Sequence, residues 1–209
     1  MLTKKIYLVR HGQTDYNLRG VVQGSGIDAP LNWNGHKQAA AFFEHYKHVP
    51  FGKVYYTGLQ RTKQSVQNFI DLGLPHEGVP YLNEISWGRY EGVPMTKEEN
   101  KYYESMLEKW SSGDLDYAIE GGESPLMVAK RLQMGINQIL SQQVETVLIC
   151  MHGRAMRILL AVLLGYDLRY MDVFSHKNLG LYVLQQNKSG DFIVEKFNSV
   201  EHLKDLELL

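Results

Sequence analysis

The chain has 209 residues, 44% hydrophobic and 22% charged, with a formal net charge of −1 at pH 7. That length suits one domain, or one domain with an insertion, and the composition excludes a disordered chain. The near-neutral balance excludes the broad basic face of a nucleic-acid or membrane-surface binder, so any affinity for anions must be local. One cysteine, Cys150, excludes an internal disulfide and fits a reducing compartment, so a cytoplasmic location is expected. No apolar signal region follows the first residues and no run of about 18 apolar residues occurs, so neither secretion nor a membrane span is predicted.

Lys5-Ile6-Tyr7-Leu8-Val9 reads as a buried strand, and it runs directly into Arg10-His11-Gly12-Gln13-Thr14. Open α/β sheets bind ligands beyond the carboxyl ends of their strands, so a cation, an imidazole and a glycine arrive together at such a place. Residues 19–31 hold three glycines and a proline and read as a loop. Its glycines serve turn chemistry, or backbone N–H groups around Gly24 help hold an anion; both readings stand. After Asn34-Gly35, the spacing of Ala39, Ala40, Phe42, Phe43 and Tyr46 predicts an amphipathic helix over 36–48. Lys53–Tyr56 reads as a second strand, followed by a helix from near Leu59 to about Leu72. Arg61 then falls in the helix's first turn, where the N-terminus and a guanidinium fork both suit phosphate.

Glu84 lies among the apolar Leu82, Ile85 and Trp87, with Glu91 as the competing carboxylate. Lys97 to about Trp110 predicts a charged, aromatic helix with Tyr102, Tyr103 and Met106, and 111–122 is loop-like. The stretch 93–122 reads as an insertion outside the sheet, capping a site, packing on the body, or both. Ser124-Pro125 is a helix start, an N-cap followed by proline at the first position, for a helix to about Ser141; Glu123 before it reads as structural. Thr146–Met151 is a second buried strand. It ends in His152-Gly153, followed by a helix through Ala155, Ile158, Leu159, Val162 and Leu163. Strand, histidine, glycine and a change of direction thus occur twice. Cys150 reads as a small core residue; Arg154 and Arg157 reach the site or pair with surface carboxylates. Strands over 180–186 and 192–197, joined by a hairpin turn at 187–190, predict antiparallel edge strands. The tail from Glu201 to Leu209 is short.

Arg10-His11-Gly12-Gln13-Thr14 with Asn17 resembles the signature of the histidine phosphatase superfamily, the phosphoglycerate-mutase-like fold. The resemblance continues in the family's order. It includes Gln23-Gly24 with Asp28 and Pro30-Leu31, then Leu59-x-Arg61, then Leu82-x-Glu84 with Gly88 and Glu91-Gly92. Gly121-Gly122-Glu123-Ser124-Pro125 and His152-Gly153 complete it, so it spans Tyr7 to about Leu164. It implies an α/β fold: a three-layer α/β/α sandwich with a mostly parallel central sheet, antiparallel edge strands and a helical cap insertion. One domain over 1–209 is expected, with 93–122 as the cap.

The resemblance also implies phosphoryl transfer through a phosphohistidine on His11, with Glu84 as acid/base and Arg10, Arg61 and His152 completing the catalytic set. Arg10, Asn17, Gln23, Gly24, Arg61, His152 and Gly153 are the expected phosphate-binding residues. No cofactor and no metal are expected, since cationic side chains neutralise the phosphoryl oxygens. A metal site on His11, Asp15 and His152 is the rival from the residues alone, and Arg10 beside His11 would repel the cation. A non-catalytic phosphate-binding protein would be expected to lack His11 or Glu84. A cofactor-dependent phosphoglycerate mutase is the nearer alternative. Those relatives carry a longer insertion with a Trp-Arg-Arg cluster, and around Tyr90–Gly122 this chain has only Arg89 and scattered lysines. A phosphomonoester phosphatase for a small phosphorylated metabolite is therefore favoured: a sugar phosphate, a phosphoglycerate or an α-ribazole-type nucleotide. Tyr102, Tyr103 and Trp110 would offer flat apolar surface to the leaving group, and Lys97, Lys101 and Lys109 charge for a second anionic group. No nucleic-acid or membrane partner is expected.

Overall fold

The described residues hold six short strands, most of them rich in apolar residues: β1 (Lys5–Arg10), β2 (Lys53–Tyr56), β3 (His76–Gly78), β4 (Thr146–Met151), β5 (Leu181–Gln186) and β6 (Phe192–Ser199). In the computed structural model, which describes residues 3–206, they form one sheet in the order β3-β2-β4-β1-β5-β6. The first four run parallel, while β5 is antiparallel to β1 and β6 to β5. The mostly parallel sheet with antiparallel strands at one edge is the architecture expected. The last tail residues, 207–209, lie outside the described residues.

The sheet is covered on both faces, and the period-2 alternation of each strand explains how. Ile6 and Leu8 of β1 and Val147, Ile149 and Met151 of β4 point into one core, with Val128, Leu132 and Ile136 on the covering helices. Val9, Leu148 and Cys150 point into the other, against Phe42, Tyr46 and Phe69. All the strand residues just named are fully buried; each fully buried Val, Leu or Ile contributes roughly 1.5–3 kcal/mol. Cys150 is among them, and burial pushes its thiol pKa up, which keeps it unreactive.

Among the described residues, seven α-helices surround the sheet: α1 (Asp15–Leu18), α2 (Trp33–Tyr46), α3 (Gln60–Ser65), α4 (Gln67–Asp71), α5 (Lys97–Ser112), α6 (Pro125–Leu140) and α7 (Gly153–Leu164). Four differ from the sequence reading. Helix α2 starts three residues early because the Asn32 side chain accepts from Gly35 N–H and caps it there. The single helix expected over 59–72 is broken between α3 and α4, where Val66 leaves helical geometry at φ −117°, ψ 11°. The four-residue α1 was not anticipated; Thr14 and Asn17 close it with reciprocal side-chain caps.

The register of β1 against β4 places the site. Leu8 pairs with Ile149, Val9 with Cys150 and Arg10 with Met151. Because these central strands are parallel, both end at the same level, and the next residue of each is a histidine.

Candidate active site

His11 and His152 leave neighbouring strand ends with ring centroids 5.3 Å apart. The backbone around His11 is held from three elements. Its N–H donates to Met151 O at 2.9 Å, its carbonyl accepts from Asn178 Nδ2 at 3.0 Å, and Gly12 N–H donates to Ser65 Oγ at 2.9 Å. Gly12 must be glycine, because a Cβ would stand 2.8 Å from Gly35 O and 3.0 Å from the Leu179 side chain.

The tautomer of His11 follows from its neighbour. Nδ1 lies 2.7 Å from Gly12 O, and a carbonyl can only accept, so Nδ1 carries the proton and Nε2 the lone pair. The ring's pKa is held well below 6.5 by burial first, then by Arg61 and Arg10, so it is neutral at pH 7. His152 is kept neutral in the same way, by burial and then by Arg61 and His11. Its Nε2 sits 2.9 Å from Thr57 Oγ1, and its buried Nδ1 has no partner among the described residues.

Two arginines supply the charge. Burial lowers Arg10 and Arg61 to about 10, with Glu84 opposing the shift in both, so both stay cationic at neutral pH. Arg61 is fully buried on α3, and its fork is fixed by Ile27 O at 2.6 Å and Gly24 O at 3.2 Å. With its amide turned to satisfy both neighbours, Gln23 accepts from Arg61 Nε at 3.0 Å and donates to Thr14 Oγ1 at 2.6 Å. Gln23 and Gly24, expected to bind phosphate, therefore act on Arg61 directly. Gly24 is glycine because Ile85 O would lie 2.8 Å from a Cβ. Asn17 Oδ1 accepts from Thr14 N–H at 3.2 Å and Asn178 Nδ2 at 3.1 Å, which commits the oxygen and leaves the amide N–H groups for the cleft.

Glu84 is 6% exposed and sits on the N-terminus of α7. Its Oε1 accepts from Ala155 N–H at 2.8 Å and Ile85 N–H at 2.9 Å, and its Oε2 from Arg154 N–H at 3.1 Å. Arg131 fixes the segment from outside: it donates to Tyr81 O, Asn83 O and Glu84 O and forms a two-pronged pair with Glu123. Glu123 is thus structural, as read from sequence. Glu91 is spent on Gly26 N–H at 2.8 Å and Trp87 N–H at 2.9 Å, pinning two loops together.

Arg10, His11, Asn17, Gln23, Glu84 and Gly153 share a cleft of about 280 Å³ with Val21, Val22, Trp87, Tyr103, Arg154, Arg157 and His176. Asp15 of the rival metal set is exposed at the start of α1, and among the described residues no three metal-binding side chains are grouped. Of the aromatics expected to face the leaving group, Tyr103 lines the cleft. Trp110 is buried behind Trp87 with its Nε1 bonded to Tyr117 O, and Tyr102 bonds the Tyr117 hydroxyl. Lys97 and Lys101 are exposed outside the cleft, and Lys109 lies over the Tyr117 ring at 3.7 Å. The sequence reading missed Thr57, Asn178 and His176. His176 packs on Gly153 so closely that a Cβ there would stand 2.6 Å from its ring.

The histidine phosphatase superfamily (branch 1) matches residues 6–199. The fructose-2,6-bisphosphatase TIGAR B of Danio rerio is 32% identical over 161 residues, 75% of this chain but 59% of the relative's length. A probable phosphoglycerate mutase GpmB of Proteus mirabilis is 27% identical over 214 residues, covering 98% of this chain and 97% of its own. The solved structure of mycobacterial hydrolase 1 superposes with a TM-score of 0.84 at 22% identity, over 94% of this chain and 99% of that one, and shares the fold. The chain belongs to the histidine phosphatase superfamily.

Proposed function

We propose that the protein is a phosphatase for a small phosphorylated metabolite, working through a phosphohistidine on His11. The observation that carries this is the His11 ring, neutral, with its lone pair fixed on Nε2, in a cleft flanked by two arginine cations, the fully buried Arg61 and the half-buried Arg10. Nε2 attacks phosphorus in line as the bond to the leaving oxygen breaks, and Glu84 gives that oxygen its proton. Water then attacks the phosphohistidine, Glu84 takes the water's proton, and phosphate leaves with His11 restored.

Arg10, Arg61, His152, Gly153 and the Asn17 amide surround the three equatorial oxygens. The His152 tautomer with its proton on Nδ1, its Nε2 taking the 2.9 Å contact with Thr57 Oγ1 as acceptor, would give a further donor. Preorganised donors of this kind are worth roughly 10²–10³ in rate each. The segment 93–122 is a cap on the same domain, and Tyr103, packed on Trp87, is its contact with the leaving group.

No step needs a metal, so phosphate release from p-nitrophenyl phosphate should persist after exhaustive chelation. Activity lost to chelator and restored by a divalent ion would contradict this and favour a metal-assisted hydrolysis.

A further inference from the structure

We infer that Arg154, Arg157, Asp172 and His176 form a subsite for a carboxylate on the leaving group, making the preferred substrates phosphomonoesters of small carboxylic acids. The inference rests on the phosphatase reading above and concerns what that phosphatase selects. The three residues that line the cleft, Arg154, Arg157 and His176, stand outside the phosphate-handling set.

Arg154 and Arg157 lie one turn apart on α7, so their side chains share a face. Both donate to the same oxygen, Asp172 Oδ1, Arg154 at 2.6 Å. Two guanidinium groups on one carboxylate leave one unit of positive charge. Arg154 is only 7% exposed and stacks on Trp110 and Trp87, with centroids 5.4 and 5.9 Å away, and the Tyr103 hydroxyl faces it. Its charge is therefore already desolvated, where an arriving anion gains most.

Two polar atoms here are buried without a partner among the described residues: Arg157 Nε and His176 Nδ1. An unpaired buried donor is costly unless a ligand takes its hydrogen bond. His176 stays neutral among Arg10, Arg157 and Arg154, with burial and these charges lowering it to about 3, so it adds a hydrogen bond and no charge. The residual single positive charge matches a carboxylate, which also suits a planar guanidinium. A second phosphate, near two negative charges, would leave the subsite net negative beside Asp172. The Asp172 side chain is 39% exposed, so water can solvate it as the substrate's carboxylate takes its place.

The test compares kcat/KM for phosphoglycolate and for ethyl phosphate, a matched ester without the carboxylate, with p-nitrophenyl phosphate as reference. The wild-type ratio of the first to the second should be about 10 or more, the worth of one charge-assisted hydrogen bond. Arg154→Met and, independently, Arg157→Met should bring the ratio close to one; using a ratio cancels any general loss of activity. Asp172→Asn removes the internal competitor and should raise it. Equal rates on the two esters with p-nitrophenyl phosphate still hydrolysed would overturn the subsite and leave the phosphatase standing. So would an unchanged ratio in both arginine variants, or a lowered one in Asp172→Asn. A stronger preference for an ethylene bisphosphate would overturn the carboxylate assignment, and failure to hydrolyse any ester would remove the phosphatase reading itself.

Discussion

His11→Ala is expected to lower kcat for p-nitrophenyl phosphate by roughly 10⁴–10⁶, the scale seen when a covalent nucleophile is removed. The residue is 3% exposed, but among the described residues its ring hydrogen-bonds only to Gly12 O, so the fold should survive. The backbone bonds that fix this position, from His11 N–H to Met151 O and from Asn178 to His11 O, do not involve the ring. An unchanged thermal midpoint with lost turnover is the expected pair of results. Near-wild-type rates in the folded variant would rule out His11 as nucleophile.

Glu84→Gln should cost roughly 10²–10⁴ in kcat on an alkyl phosphate, the usual worth of a positioned acid. On p-nitrophenyl phosphate, whose leaving group needs little protonation, the loss should be much smaller. The substitution also disturbs the fold locally. Both carboxylate oxygens accept backbone N–H groups from Ile85, Arg154 and Ala155, and an amide offers only one oxygen. A stability loss of about 1–3 kcal/mol from an unsatisfied N–H is expected alongside, so the leaving-group dependence is the reading that separates chemistry from packing. Glu91→Gln loses an acceptor in the same way, toward Gly26 or Trp87, and should lower stability with no leaving-group dependence. If the dependence appears in Glu91→Gln instead, the acid/base role belongs there.

The parts of the site legible in the sequence are those made by neighbouring residues. A β-branched run ending in His-Gly occurs twice, and parallel pairing in register does the rest by bringing His11 beside His152. Arg61 was legible because a strand, a turn and a helix start frame it. What stayed hidden depends on contacts between residues far apart in the chain. Thr57 meets His152 across 95 residues and Asn178 meets His11 across 167. No periodicity marks either. Gly24 has a contact that a glycine-rich loop does not announce: its carbonyl accepts from Arg61, at a place packed against Ile85. The cap's lysines were the natural source of a second positive charge by composition, but α5 spends its buried face, Met106 and Trp110, on the core. The charge that reaches the cleft comes from α7.

The covalent step is tested most directly by trapping it. Enzyme mixed with a ³²P-labelled phosphomonoester should be quenched in alkali within one turnover, digested, and the labelled peptide identified. A phosphohistidine on the peptide containing His11, stable to alkali, lost in acid and absent in His11→Ala, is the predicted result. Label on another residue, acid-stable label, or full turnover with no labelled protein at any quench time would contradict it.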